Sequence, residues 1–586
     1  MTYSAPVDDI ITALKTVADL DSRLADGTYP GLDADTIRAV FDEAGKFAAD
    51  VLAPLNWSGD RTGAKLIDGV VVTPPGFSQA YKLFTESGWS ALPCSETHGG
   101  QGLPEIISSA VCEIWNSANL AFGLCPLLTQ GAIHAIEAGG SEALQATYLP
   151  KMVSGQWTGT MNLTEPHAGS DLSELKARAQ RNGDGTYSIT GTKIFITCGD
   201  HDMAENIIHL VLARLPDAAA GTRGISLFLV PKILLNADGS LGGRNDVVCA
   251  GLEHKLGIMA SPTCVMKFGE KGGAIGYLVG EENRGLATMF VMMNQARLAV
   301  GMQGVAIAER ATQRAIAFAK ERTQGRASSA TGTGMSPIIA HPDIRRTLLT
   351  MKAMTQAARM ICLATAAELD AAGNPSNATE GKLARNTAAL LTPIAKAFAT
   401  DIGVEVASLG IQVHGGMGFV EETGAAQHLR DARILPIYEG TNGVQAIDLV
   451  MRKLPLEGGS VVTGYMSGVA RIVAEVATSN RPEFGEMGTC LKDGLAALQR
   501  STLWMAGAIK NNPDAALAGA TPYLRVFGLV AGGAYLAKAA LAPDASLQHV
   551  SLARFFAENC VTAAPGLAEA VTCGSTSVLA GTEMFA

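Results

Sequence analysis

A single carboxylate, Glu439, stands in ILPIYEGTNGVQ (residues 434–445), behind Ile434, Leu435, Pro436 and Ile437 and ahead of the low-bulk run from Gly440 to Gly443. Burying a carboxylate is unfavourable unless it is paired or allowed to protonate. Two readings follow. Glu439 is a proton-transfer group whose pKa the apolar surroundings raise, or it caps the helix suggested by NGVQAIDLVMRKL, although Thr441 or Asn442 would explain such a cap better. A second lone charge, Arg297 in MNQARL, lies in an otherwise apolar helical stretch. Such an arginine is normally paired, either in a purely structural ion pair or with Glu439. In TEPHAGSD (164–171), Gly169 permits close backbone approach while Thr164 and Ser170 supply hydroxyls; an ordinary Ser/Gly turn would look the same. In KIFIT (193–197), alternation puts Phe195 and Thr197 on one face of a strand, as site residues or as core aromatic and β-former. The glycines of HGGMGF (414–419) remove Cβ atoms where a backbone would meet a ligand, whereas His414 reads as a core or interface histidine.

The elements that must carry these residues can be read from periodicity. Residues 1–160 are helical in pattern, as in DADTIRAVFDEAGKFAADVLAPL. Residues 161–285 change to short β-branched runs such as IIHLVLARL and GISLFLVP, bounded by Gly, Asp and Asn. Helical spacing returns over 286–455 in three segments long enough for an antiparallel bundle. LPLEGGS (454–460) reads as a linker, and 460–586 as an appended, Ala-rich helical domain. The order is therefore α, β, α and a further α piece, an α+β chain. Alternating βαβ units are absent and HGGMGF follows a helix, so a nicotinamide-binding Rossmann domain is not expected.

Composition removes several function classes. A chain of 586 residues with net charge -10 and no Lys/Arg block is not expected to bind nucleic acid. The N-terminus lacks a basic start and an apolar core, so no secretory signal is expected. No membrane span is expected either; LRVFGLVAGGAYLAKAALA comes closest, but Arg525 and Lys538 bound too short a run. Ten scattered cysteines without a CxxC pair point to reduced thiols in a cytoplasm, and neither disulfides nor a metal site are expected.

Four stretches in this order resemble the acyl-CoA dehydrogenase family: MNLTEPHAGSDL (161–172), GTKIFITCGD (191–200), QVHGGMGF (412–419) and RDARILPIYEGTNGVQ (430–445). The resemblance covers residues 40 to 455. It implies an N-terminal helical domain, a central β-domain and a C-terminal helix bundle, with FAD as cofactor and an acyl-CoA thioester as substrate. LEHKLGIMASPTC, LVGEENRGLATMFVMMNQARL and the long tail narrow it to a large-subunit branch. That branch implies oxidation of 3-methylmercaptopropionyl-CoA to methylthioacryloyl-CoA in bacterial dimethylsulfoniopropionate breakdown. A short- or medium-chain dehydrogenase of fatty-acid oxidation, an acyl-CoA oxidase and a helical scaffold without flavin are the competing functions.

The same resemblance assigns roles. Glu439 is the base that takes the proton alpha to the thioester, and its backbone N–H, with a flavin hydroxyl, faces the thioester oxygen. Met161, Leu163, Thr164, Gly169 and Ser170 lie along the flavin. Phe195 packs on its ring and Thr197 reaches N5. Arg322 and Gln324 in KERTQGR, with Gln412, Gly415 and Gly416, meet the ADP half of FAD across a homodimer interface, and Thr441 also contacts FAD. Arg297, Ser170 and Asn294 are assigned to the substrate. Electron-transfer flavoprotein is the implied electron acceptor.

Overall fold

The structure, a computed structural model, describes residues 3–375 and 377–585, without the side chains of Val291, Met292, Asn294, Thr582 and Glu583. The chain forms two compact units, each discontinuous in sequence. One comprises residues 1–46, 105–117 and 297–586; the other comprises 47–104 and 118–296.

The unit containing residues 118–296 is built on an eight-stranded sheet. Its strands are β3 (Trp157–Asn162), β4 (Arg178–Arg181), β5 (Tyr187–Thr197), β6 (Asn206–Arg214), β7 (Ile225–Pro231), β10 (Val247–Leu252), β11 (Thr263–Phe268) and β12 (Ala274–Val279). The order is β10-β11-β5-β12-β7-β6-β3, with β4 beside β5 and β6. The pairs β3–β6 and β4–β6 are parallel and the others antiparallel. β3 and β7 are buried along their whole length, and β6 up to Arg214, and in β6 and β7 the apolar runs are nearly continuous rather than alternating. The helix Leu120–Gly139 covers β3 closely: a Cβ on Gly159 would lie 2.4 Å from Ala132 Cβ.

The reading of residues 1–160 as wholly helical missed a small hairpin, β1 (Lys65–Ile67) with β2 (Val70–Val72). Its turn, Asp68-Gly69, has positive φ at both residues, the backbone that Asp-Gly favours between two strands. A second two-stranded sheet pairs β8 (Ile233–Leu235) with β9 (Leu241–Arg244).

The other unit is a helix bundle. Its long members are α1 (Gly285–Glu321), shared by chain with the sheet unit up to Ala296, α2 (Pro342–Gly373) and α3 (Ala378–His414). Small residues let α1 and α3 approach. A Cβ on Gly301 would lie 2.9 Å from the Ala395 carbonyl oxygen, and one on Gly304 only 2.4 Å from that of Ala399. Buried Arg359 of α2 binds Glu113 (2.6 Å) and Glu309 (2.8 Å), tying the helix Glu105–Ala118 to α1 and α2. The appended region is helical throughout, and α4 (Ala520–Leu541) packs against α2 and α3. Among the described residues, two helices, Leu120–Gly139 and α4, are long and apolar enough to cross a membrane, and both are mostly buried inside the fold.

Candidate active site

Glu439 lies in the helical unit, on the short connection before α5 (Asn442–Asp448). Its φ is +55°, a left-handed conformation unusual for a side chain of this size. The turn is anchored on both sides of it. Tyr438 donates its hydroxyl to Gln303 Oε1 on α1, and Gln303 donates in turn to Asn116 Oδ1 at 3.0 Å. The Asn442 N–H reaches back to the Pro436 carbonyl (2.9 Å). From α3, Lys396 Nζ donates to the carbonyls of Leu435 and Gly440 and to Asn442 Oδ1, each at 2.9 Å. Asn442 Nδ2 donates to Asp401 Oδ1 at 2.7 Å. The cap of α5 is Thr441, whose hydroxyl oxygen accepts from the Val444 N–H at 3.3 Å and keeps its own O–H as a donor. Capping is therefore not the role of Glu439.

The carboxylate is half-buried yet closely surrounded by protein. Burial raises its pKa above the ordinary carboxylate range, and the charges of Lys396 and then Arg297 draw it partly back. Arg297 is buried on α1, and its Nη1 stands 3.6 Å from Asp448 Oδ2 on α5. Asp448, rather than Glu439, is thus its ion-pair partner, with Glu439 acting on it as a second, more distant anion. Burial still lowers the Arg297 pKa. The close α1–α3 crossing brings Arg297 and Lys396 to the same turn. Asn294 lies one helical turn before Arg297, but its side chain is outside the described residues.

The ends of α1 and α3 carry a second group, placed side by side by the Phe318–His414 ring stack (4.4 Å between centroids). Beyond α1, Arg322 donates to Gln324 Oε1 at 3.3 Å, and both side chains are exposed. At the end of α3, Gln412, Gly415 and Gly416 are exposed as well. Gly415 has φ +60° and ψ −140°, a conformation that glycine alone adopts readily. His414 is buried, with Nδ1 2.7 Å from the Gly410 carbonyl, in keeping with a core role.

The remaining predicted residues belong to the sheet unit, where the loop after β3 is hung on β5. Thr164 accepts from the Ile194 N–H (3.0 Å), while Glu165 and Ala168 exchange backbone hydrogen bonds. Buried Glu165 accepts from Lys193 Nζ (2.8 Å) and from the N–H groups of Lys176 and Ala177. Lys193 also donates to the Leu163 carbonyl (3.0 Å). Met161 is buried, whereas Gly169 and Ser170 are exposed, and Thr164 lies beside Gly169. A bulge interrupts β5 opposite Val265: Ile196 pairs with Cys264 but Lys193 with Met266. Phe195 sits in it at φ +59° and is 58% exposed. Thr197 is half-buried, while Ile196 and Cys198 are buried. Alternation put Phe195 and Thr197 on one face without fixing its direction, and it gave no sign of the bulge that projects the ring.

Sequence reasoning passed over Lys396, Gln303 and Asp448 in the helical unit, and Glu165 and Lys193 in the sheet unit, and weighed Asn442 only as a helix cap. The signal that singled out Arg297, one charge in an apolar helical run, also applied to Lys396 in LLTPIAKAFAT.

An aromatic ring projected from a strand bulge, beside a loop presenting Gly169, Ser170 and Thr164, suits a flat heterocycle with a phosphate-bearing tail. A half-buried carboxylate with a raised pKa suits removal of a weakly acidic carbon-bound proton. This fold is that of the flavin-dependent dehydrogenases of acyl thioesters, and the chain belongs to the acyl-CoA dehydrogenase family. Its segments match the family's N-terminal domain (34–156), middle domain (160–270) and C-terminal domain (283–454), and an acetyl-CoA dehydrogenase C-terminal-like domain (468–581). It is 47% identical to 3-methylmercaptopropionyl-CoA dehydrogenase of Ruegeria pomeroyi, over 96% of this chain and 95% of that one. With a butyryl-CoA dehydrogenase of Syntrophomonas wolfei it shares 32% identity over 98% of both chains. An acyl-CoA dehydrogenase from Bacillus anthracis, solved in complex with FAD, has the same fold, with a TM-score of 0.75 at 19% identity over 95% of this chain and 90% of that one. The protein is an FAD-dependent oxidoreductase that dehydrogenates acyl-CoA thioesters.

Proposed function

We propose that the chain oxidises 3-methylmercaptopropionyl-CoA to methylthioacryloyl-CoA, with Glu439 as the base. The observation that carries the mechanism is the Glu439 carboxylate itself, raised in pKa by burial and held in an anchored turn beside two cations. The substrate assignment rests on the 47% identity to the Ruegeria enzyme across nearly the whole chain. FAD supplies the acceptor for the hydride lost from the beta carbon. Glu439 takes the alpha proton, and the electron pair left behind spreads onto the thioester oxygen. The Glu439 N–H makes no hydrogen bond among the described residues and is the protein donor for that oxygen. Burial raises the Glu439 pKa, and the charges of Lys396 and Arg297 oppose that rise and favour the carboxylate.

In this reading, Thr164, Gly169, Ser170, Phe195 and Thr197 hold FAD, with Met161 and Leu163 fixing the start of the loop. Arg322, Gln324, Gln412, Gly415 and Gly416 reach the FAD of a second copy in a cytoplasmic homodimer. The exposed apolar side chains of Met417, Phe419 and Val420 beside those glycines support a protein-covered face there. Electrons leave through electron-transfer flavoprotein.

Anaerobic flavin bleaching with a panel of thioesters tests the substrate. 3-Methylmercaptopropionyl-CoA and the nearly isosteric pentanoyl-CoA should bleach fastest, because an apolar pocket separates such shapes poorly. Bleaching only by long-chain or aromatic thioesters would overturn the assignment, and peroxide formed without an added acceptor would make the protein an oxidase.

A further inference from the structure

Lys396 is 0% exposed in the middle of α3, where an apolar residue would pack without desolvating a charge. It forms no ion pair among the described residues; its three partners are neutral oxygens. Those oxygens belong to Leu435, Gly440 and Asn442, and so bracket Glu439 along the chain. Three acceptors at 2.9 Å call for three N–H donors, which an ammonium has and a neutral amine lacks. The residue between the clamped carbonyls holds a left-handed backbone that a non-glycine side chain ordinarily leaves. Removing the clamp would let the turn relax and carry the carboxylate with it.

We propose that Lys396 is the positioning residue of the Glu439 turn, its ammonium gathering Leu435, Gly440 and Asn442 so that Glu439 is fixed in place. The inference deepens the reading of Glu439 as the base and depends on it. The charged groups acting on Lys396 are Glu439 and Asp401, which favour the ammonium, and Arg297, which opposes it. Burial is the largest influence and pulls Lys396 down to about 7, against the preference of its three acceptors for the charged form. Asp401 in turn feels Arg525 and Glu405. Glu439 feels Lys396 and Arg297.

The sign of the effect on Glu439 follows from charge. A neutral residue at 396 removes a cation that lowers the Glu439 pKa, so the carboxylate ionises only at higher pH. The test is stopped-flow reduction of the bound flavin by pentanoyl-CoA across pH, in wild type, Lys396→Met, Asn442→Ala and Glu439→Gln. In Lys396→Met the limiting rate at high pH should fall between about 10- and 100-fold, as expected of a displaced catalytic group. Its acid limb should move up by about one pH unit, the low end of the effect of an adjacent opposite charge. Asn442→Ala, which removes one of three acceptors, should move both quantities in the same direction by less. If Lys396→Met fails to fold, Asn442→Ala decides. Loss of flavin or of thermal stability, with the per-flavin rate and acid limb unchanged, would reduce Lys396 to a structural residue and overturn the proposal. Glu439→Gln separates the two ideas. If it bleaches normally, the base assignment fails. If it is inactive while Lys396→Met and Asn442→Ala match wild type, only the positioning role fails.

Discussion

Glu439→Gln keeps the side-chain volume and removes the ability to take a proton. The variant should fold, remain yellow and bind acyl-CoA, while bleaching by substrate falls at least about 10²-fold, the low end for a positioned base. Reduction by dithionite should be normal, which separates lost proton abstraction from a damaged flavin site. A second prediction concerns His201, buried in the sheet unit with Nδ1 accepting from the Met203 N–H (3.1 Å) and Nε2 3.0 Å from the Thr158 hydroxyl. A proton on Nδ1 would end the first contact, and burial holds the imidazole pKa down to about 3. Because the folded pKa is below the unfolded value, the unfolded chain binds the extra proton. Stability is then complete above about pH 6.5 and is lost as pH falls from there toward 3, by up to about 1.4 kcal/mol per pH unit for this group. Denaturant melts between pH 4 and 7 should show a shallower slope in His201→Gln than in wild type, and equal slopes would exclude His201 as a contributor.

Between elements, the crossing of α1 and α3 decides where the charges meet. Gly304 faces the Ala399 carbonyl and Gly403 faces the Gly304 carbonyl, so neither helix can move closer or tolerate bulk there. Gly304→Val should destabilise the protein by about 1–3 kcal/mol through overpacking. It should also slow flavin bleaching, because Arg297 and Lys396 lie about one to two turns away on the two helices being forced apart. Chemical denaturation and single-turnover bleaching measure the two effects; a variant as stable as wild type would show that the contact is not limiting. The periodicity of LAVGMQGVAIAERA marked a helix, but it did not mark Gly301 and Gly304 as its contact face. That depended on the partner, since a small residue has meaning only against the backbone that approaches it.

For the whole molecule, the region after residue 460 packs on the bundle instead of trailing from it. A Cβ on Gly528 of α4 would lie 2.2 Å from the Phe398 ring, two residues from Lys396. Arg525 binds Glu405 at 2.8 Å and lies over the Phe398 ring. Truncation before residue 460 should therefore uncover apolar surface on α2 and α3 and lead to association or aggregation. Light scattering on the truncated chain checks this, and a soluble species of unchanged assembly state would refute it. Loss of the Arg525 contact should also loosen the Asp401–Asn442 pair behind the Glu439 turn, so a soluble truncation should bleach more slowly than full-length protein.

Much of this protein is written in local pattern. The change from helical spacing to β-branched runs and back marks the α–β–α order, because side-chain periodicity follows the period of the element itself. The Glu439 turn stood out too, as one carboxylate among apolar residues and glycines, but the residues alone left proton transfer and capping both open. TEPHAGSD and HGGMGF could be read as loops that admit a ligand, since glycine and small hydroxyl residues carry that information wherever they stand. Tertiary structure decided the partners. Nothing near residue 396 in sequence indicates that its ammonium binds carbonyls some forty residues onward. Nothing near 297 indicates that Asp448, not Glu439, is its ion pair, nor near 195 that a bulge turns the ring outward. Each depends on which backbone lies opposite, and hydrogen bonds and ion pairs between distant segments exist only once packing has brought their ends within about 3–4 Å.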